Sequence, residues 1–215
     1  MLSPMRLLRI PEPFDHADWI FEPKLDGFRA LAHIEGHRCT LISRNGHIFK
    51  SWPQLAEEIA HSIRTSNAVI DGEIACLEAD GRSNFRNLLF RREWPHFVAF
   101  DLLAVGGEDL RPFPLIERKR CLASIMPKIE TRVMLMEHIE ERGADLFRAV
   151  CDHDLEGVVG KWKDGSYSTD PRATSWVKIK NTAYSQMEGR AELFQGSRAL
   201  EPQRPKASRL TLQLA

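Results

Sequence analysis

The segment FEPKLDGFRA, Phe21 to Ala30, sets Lys24, Asp26 and Arg29 within six residues, directly behind a short apolar run. A lysine amine can act as a nucleophile only after losing its proton. At the ordinary lysine pKa of about 10.4 the neutral form is rare at pH 7, and reaching it costs roughly 4 to 5 kcal/mol. Nearby cations recover part of that cost by disfavouring the ammonium. Lys24 is therefore either a nucleophile with chosen neighbours or a solvated lysine at a charged turn.

Lys178 and Lys180, in WVKIK, stand two residues apart, so on a strand both point to one face while Val177 and Ile179 point to the other. Alone, that alternation equally describes an amphipathic strand with a basic outer face. The eight histidines form no H-E-x-x-H or paired His/Cys array, and Cys39, Cys76, Cys121 and Cys151 are scattered without a C-x-x-C pair. A structural zinc site is thus not expected. There is no G-x-x-x-x-G-K-[ST] loop either, so any phosphate site would rest on strand-borne lysines.

The elements that must position these residues alternate between two periods. WIFEP reads as a strand ended by Pro23, with Lys24 at its exit. FRALAHIEG and HRCTLISRNG form a hairpin around Glu35-Gly36, and Asn45-Gly46 marks a second turn. In SWPQLAEEIAHSIR, Ser51 can cap, Pro53 suits the first turn, and Leu55, Ile59 and Ile63 share one helical face. NAVIDGEIACLEADGR returns to strand character with breaks at Asp71-Gly72 and Asp80-Gly81, NFRNLLFRR reads as a short helix, and HFVAFDLLAV as a strand ending at Gly106-Gly107. PLIERKRCLASIM and GADLFRAVCDH are helices flanking one strand, RVMLMEHI, and EGVVGKWKDG and TSWVKIKN are the last two strands. Mixed hairpins and helices give an α+β class. From about Gln186 a short helix and then a mobile tail are expected.

The chain has 215 residues, with 30 Lys+Arg balancing 30 Asp+Glu. That length suits one substantial domain, and the balance argues against a histone-like polycation while leaving room for a local basic surface. No segment approaches the roughly 20 apolar residues of a membrane span, and no signal-peptide core opens the chain. A reducing, cytoplasmic setting is expected.

Six stretches, in one order, resemble the motifs of the covalent nucleotidyltransferases: ATP-dependent DNA ligases, RNA ligases and mRNA capping enzymes. They are KLDGFR (24–29), SRNG (43–46), DGEI (71–74), FVAFDLL (97–103), EGVV (156–159) and WVKIK (176–180). The wording is most similar to the ligase domain of bacterial non-homologous end-joining ligases. It covers about Asp18 to Phe194.

The resemblance implies a ligase/capping-enzyme nucleotidyltransferase fold, antiparallel sheets with flanking helices and a nucleotide cleft, over residues 1–187. Residues 188–215 would be a partly disordered extension. Lys24 would attack the α-phosphate of ATP, release pyrophosphate and carry AMP as a lysyl phosphoramidate. Arg29, Lys178 and Lys180 would supply positive charge, and Glu156 would hold Mg²⁺ or Mn²⁺. Glu73 would hold a ribose hydroxyl, and Glu22 lies where the family recognises adenine largely through neighbouring backbone. Phe100 would stack on adenine, with Phe97 as its competitor and a core phenylalanine as the plain alternative. Asp26 would position the lysine or touch ribose or metal; Arg172 would be a secondary nucleotide contact, and Arg44 would touch the nucleotide or the DNA 5′-phosphate.

DNA with nicks or ends is the implied partner, in DNA repair. Complete ligases of the family continue into an OB-fold domain of about a hundred residues, for which the roughly 35 residues after Lys180 leave no room. A separate OB-fold or end-joining protein is then an expected partner. The competing expectations are a non-catalytic or split-ligase nucleotide/DNA-binding module, and an RNA ligase or guanylyltransferase.

Overall fold

A computed structural model describes residues 3–170 and 172–187. The chain divides into two compact units, Met1–Tyr184 and Ser185–Ala215; of the second, the described part is a single 3-10 turn, Ser185–Met187. The tail expected from residue 188 onward lies outside the described residues.

The first unit is α+β, as expected. Its strands are β1 (Leu8–Arg9), β2 (His16–Pro23), β3 (Phe28–Glu35), β4 (Arg38–Ser43), β5 (Asn67–Ala75), β6 (His96–Val105), β7 (Glu108–Asp109), β8 (Val133–Leu135), β9 (Ile139–Glu141), β10 (Gly157–Trp162) and β11 (Trp176–Lys180). Its helices are α1 (Pro53–Ser62), α2 (Phe85–Leu89), α3 (Leu115–Ile125) and α4 (Gly143–Asp152). One sheet runs β4-β3-β5-β6-β7 with β8 beside β6, and the other β1-β11-β10-β2-β9.

Apolar side chains pack in three layers. Leu55, Ile59 and Leu122 of α1 and α3 cover one face of the six-stranded sheet, over Ala30, Ile70 and Phe97. Ile20, Leu31, Val98, Phe100 and Trp176 fill the space between the sheets. Phe21, Val158, Val177 and Ile179 meet Val150 of α4 on the far side of the five-stranded sheet. Each fully buried Leu, Ile or Phe contributes about 1.5–3 kcal/mol against its exposed state. The β11 alternation is therefore two-sided: Val177 and Ile179 fill the core under α4, while Trp176, Lys178 and Lys180 face the other sheet.

Three local readings change. The run RVMLMEHI is two strands, because the chain crosses between sheets at residues 136–138: β8 pairs parallel with β6, and β9 pairs antiparallel with β2. Asp71-Gly72 interrupts nothing. It lies inside β5, where the register against β6 shifts, and a Cβ on Gly72 would come within 2.5 Å of the Phe97 ring. Helix α1 starts on Pro53 with Trp52 before it and no side-chain cap, so Ser51 does not cap it.

Candidate active site

Lys24 leaves β2 into a loop fixed at both ends. Its backbone N–H donates to Gly157 O at 2.8 Å, tying it to the start of β10. Two residues on, the Asp26 N–H donates to Ser83 Oγ at 3.0 Å, and the Tyr184 hydroxyl donates to the Asp26 carboxylate at 3.3 Å. Nζ of Lys24 then lies 2.5 Å from Glu156 Oε2, and Lys180 Nζ lies 3.3 Å from Glu156 Oε1. Glu156 is nearly buried, so one carboxylate is shared by two ammonium groups.

A cavity runs inward from Lys24 between the sheets. It has about 450 Å³ of empty space, the open solvent at its mouth included. Glu22, Arg29, Glu73 and Phe100 line it along with Lys24, so five of the sequence-selected residues share one chamber. Phe100 belongs to the inter-sheet layer, whereas Phe97 is fully buried on the opposite face of β6 and contributes nothing to the wall. Of the two, Phe100 is the one that faces the cavity.

The inner end holds a buried charge chain. Glu22 accepts from Lys119 Nζ at 2.7 Å and pairs with Lys161 Nζ at 2.6 Å. Burial works to raise its pKa, but the two lysines outweigh burial and leave it below the usual carboxylate value. The Lys161 ammonium stands 4.3 Å from the Phe100 ring centroid and 4.0 Å from that of Trp176. Burial, offset in part by Glu22, lowers Lys161 to about 8.

Glu73 behaves oppositely. Burial pushes its carboxyl up to about 8, with Lys24 and Arg29 only partly opposing. It is therefore largely protonated at neutral pH, beside a nucleophile candidate. Lys178 is lowered by burial and then by the nearby charges of Lys24 and Lys180.

Arg29 lines the cavity with its charge already paired. Its guanidinium donates to both Asp71 oxygens, at 3.0 and 2.6 Å, and to Met5 O at 2.6 Å. Burial opposes its charge, but Asp71 overcomes that and raises its pKa. Its charge is neutralised locally, so the cations that crowd Lys24 are Lys178 and Lys180. Asp26 holds the Lys24 loop through Ser83 and Tyr184 and is absent from the cavity lining, which favours positioning over ribose contact. Arg44 is exposed and off the lining, though its charge reaches Lys178. Arg172 is also exposed and off the lining, with its side chain 3.7 Å from Asp170.

Residues missed in the sequence are Lys119, Lys161, Trp176, Leu7 and Met136. Lys161 carried a signal: Val159 and Lys161 are two apart on β10 and both line the cavity. Lys119 did not, because a lysine inside a helix gives no hint that it will be buried.

Among the described residues, no group of three or more His, Cys, Asp or Glu side chains could hold a metal ion. Glu156 alone suits Mg²⁺, which is commonly held by one or two carboxylates together with substrate phosphate oxygens. Among the described residues, no helix is long and apolar enough to cross a membrane.

A family model described as the ATP dependent DNA ligase domain matches residues 5–180. The multifunctional non-homologous end joining protein LigD of Pseudomonas aeruginosa is 33% identical over 181 residues, 81% of this chain and 21% of that protein. The SPbeta prophage-derived DNA ligase-like protein LigB of Bacillus subtilis is 27% identical over 86% of this chain and 70% of its own length. A mycobacterial DNA ligase D solved in complex with ATP and MES superposes with a TM-score of 0.70 at 29% identity, covering 84% of this chain and 60% of that one. The chain thus spans about a fifth of the LigD length. From residue 5 to residue 180 the match is continuous and takes in both sheets, and on that ground the chain belongs to the ATP-dependent DNA ligase domain family.

Proposed function

We propose that this chain is an ATP-dependent adenylyltransferase of the DNA-ligase type, forming a Lys24-AMP intermediate used to join nicks or ends in DNA repair. The observation that carries it is an open-mouthed cavity with Lys24 at its entrance, its Nζ 2.5 Å from Glu156. In the proposed step, the uncharged amine attacks the α-phosphorus of ATP. An N–P bond forms, the bond to the bridging oxygen of the β-phosphate breaks, and pyrophosphate leaves with the electron pair. The amine proton is lost to solvent or base.

Glu156 fixes Nζ by accepting from it, and Lys178 and Lys180 offset charge gathering on the phosphate oxygens. A divalent cation would be held by Glu156 with the nucleotide phosphates, and it supplies further charge neutralisation there. Phe100 and Trp176 offer aromatic surface to the base, and Glu73 faces the sugar. The ATP bound in the mycobacterial relative supports the nucleotide, and the end-joining role in the names of the curated relatives supports DNA as the acceptor.

Incubation with α-labelled ATP and Mg²⁺ tests the reading. Label should stay on the protein after denaturation, be absent from Lys24→Ala, and pass to a nicked DNA with a 5′-phosphate. ATP bound without any covalent label would favour a non-catalytic module, and label from GTP in preference would favour a guanylyltransferase.

A further inference from the structure

Residues 4–10 precede every motif that carries chemistry, yet they are built into the site. Met5 is fully buried in the layer between the sheets, with Phe100, Tyr167 and Trp176. Both of its backbone polar groups are taken: its N–H donates to Tyr167 Oη at 2.8 Å, and its carbonyl accepts from Arg29 Nη1 at 2.6 Å. Tyr167 in turn donates to Asp71 Oδ2 at 2.6 Å, the same oxygen that Arg29 Nη2 reaches. Met5 therefore closes a ring made of Arg29, Asp71 and Tyr167.

Beyond Met5 the segment runs along the edge of β11. Leu8 pairs with Val177 and Arg9 with Lys178 in parallel register, and the Ile10 N–H donates to Lys178 O at 3.1 Å. Between the ring and the strand pairing, Leu7 is only partly buried and its side chain lines the cavity. The backbone is anchored on both sides of Leu7, which holds that residue at the cavity wall.

We propose that residues 4–10 form a strap that completes the nucleotide cavity, with Leu7 as a binding-pocket residue and Tyr167 as the positioning residue that seats the strap. This rests on the adenylyltransferase reading for the identity of the ligand, a nucleoside triphosphate. Leu7 supplies apolar contact to the nucleoside, while Tyr167 acts through Met5 and Asp71 and touches no ligand. An apolar wall next to Arg29 and Trp176 narrows the chamber, and its loss leaves bound nucleotide free to shift away from Lys24.

The test is ATP binding by calorimetry in the Lys24→Ala background, with initial adenylation rates measured in the Lys24 protein. Leu7→Ala should weaken ATP about tenfold, and Leu7→Trp should weaken it more by filling the chamber; because Leu7 packs partly against the inter-sheet core, melts of both variants are recorded and binding is compared well below each transition. Tyr167→Phe, which keeps the ring and loses both hydrogen bonds, should raise the KM for ATP several-fold and leave kcat within about twofold. Binding by Leu7→Ala and Leu7→Trp within twofold of the parent would overturn the strap alone. No ATP binding by the parent protein would overturn the strap and the reading it rests on together.

Discussion

Lys24 Nζ and Glu156 Oε2 are 2.5 Å apart, across a sequence separation of 132 residues. The pairing follows from β2 and β10 being neighbours, with Val158 opposite Pro23, so the residue after one strand meets the residue before the other. Glu156→Gln keeps the size of the side chain and removes its charge. It should lower the rate of adduct formation at least a hundredfold, while ATP binding measured by calorimetry changes far less. Retention of near-parental adenylation would remove Glu156 from the chemistry.

Gly157 is the hinge of that arrangement. Its φ is +151°, and a Cβ there would come within 2.1 Å of Ile179 O on β11. The strand pair would have to part at the place where Gly157 faces Lys180 and where its carbonyl holds the Lys24 N–H. Gly157→Ala should therefore cost more than about 2 kcal/mol of stability in a denaturant titration. Adenylation should fall further than ATP binding does, since Glu156 and Lys180 move together.

The Glu22, Lys119 and Lys161 chain is three charges in a nearly water-free place. Removing the single carboxylate leaves two ammonium groups facing each other, so Glu22→Gln should destabilise by about 3–5 kcal/mol. Adding Lys161→Met to that variant should return part of the loss, because one of the stranded charges goes with it. Thermal melts of the two single variants and the double variant form the cycle, and strict additivity would show that the pair does not interact.

Glu73 links stability to pH. Its folded pKa, about 8, lies above its unfolded value near 4.5. Between those values the native state holds a proton that the unfolded state has lost, so stability should fall as pH rises through that window. Glu73→Gln has no proton to lose. Its melting temperature should flatten between pH 5 and pH 8 relative to the parent, and it should exceed the parent at the alkaline end. A parent profile with no such slope would mean the carboxyl is ionised throughout.

Sequence periodicity carried the strands that bear the site, because β2, β6, β10 and β11 each place apolar residues on fixed faces. It located Lys24 at a strand exit and put Lys178 and Lys180 on one side of β11. It did not reveal which residues face each other across the cavity, since the meeting of Lys24 with Glu156, or Arg29 with Asp71, depends on sheet order. Nor could it read the crossing at residues 136–138: a run of eight with five apolar residues looks like one strand whether or not it changes sheets. The buried lysines were hidden for a related reason. Lys119 and Lys161 are tolerated inside because Glu22 pairs with both, and that pairing spans 97 and 139 residues of chain.

Phe97 and Phe100 give the sharpest separation of packing from binding. Three residues apart on β6, they would face opposite sides by simple alternation, and they do, but the register of β6 against β5 shifts beside Phe100. Phe97 lies in the helix-covered core against Gly72, and Phe100 lines the cavity with Lys161 4.3 Å from its ring. Phe97→Leu should therefore lower the melting temperature and leave the KM for ATP close to the parent value. Phe100→Leu removes the aromatic face while keeping much of the apolar bulk, so it should weaken ATP by about tenfold with a smaller stability loss, the stacking contribution being about 1–2 kcal/mol. If the KM effect followed Phe97 instead, the base would have to lie on the other face of the sheet, where α1 and α3 already fill the space.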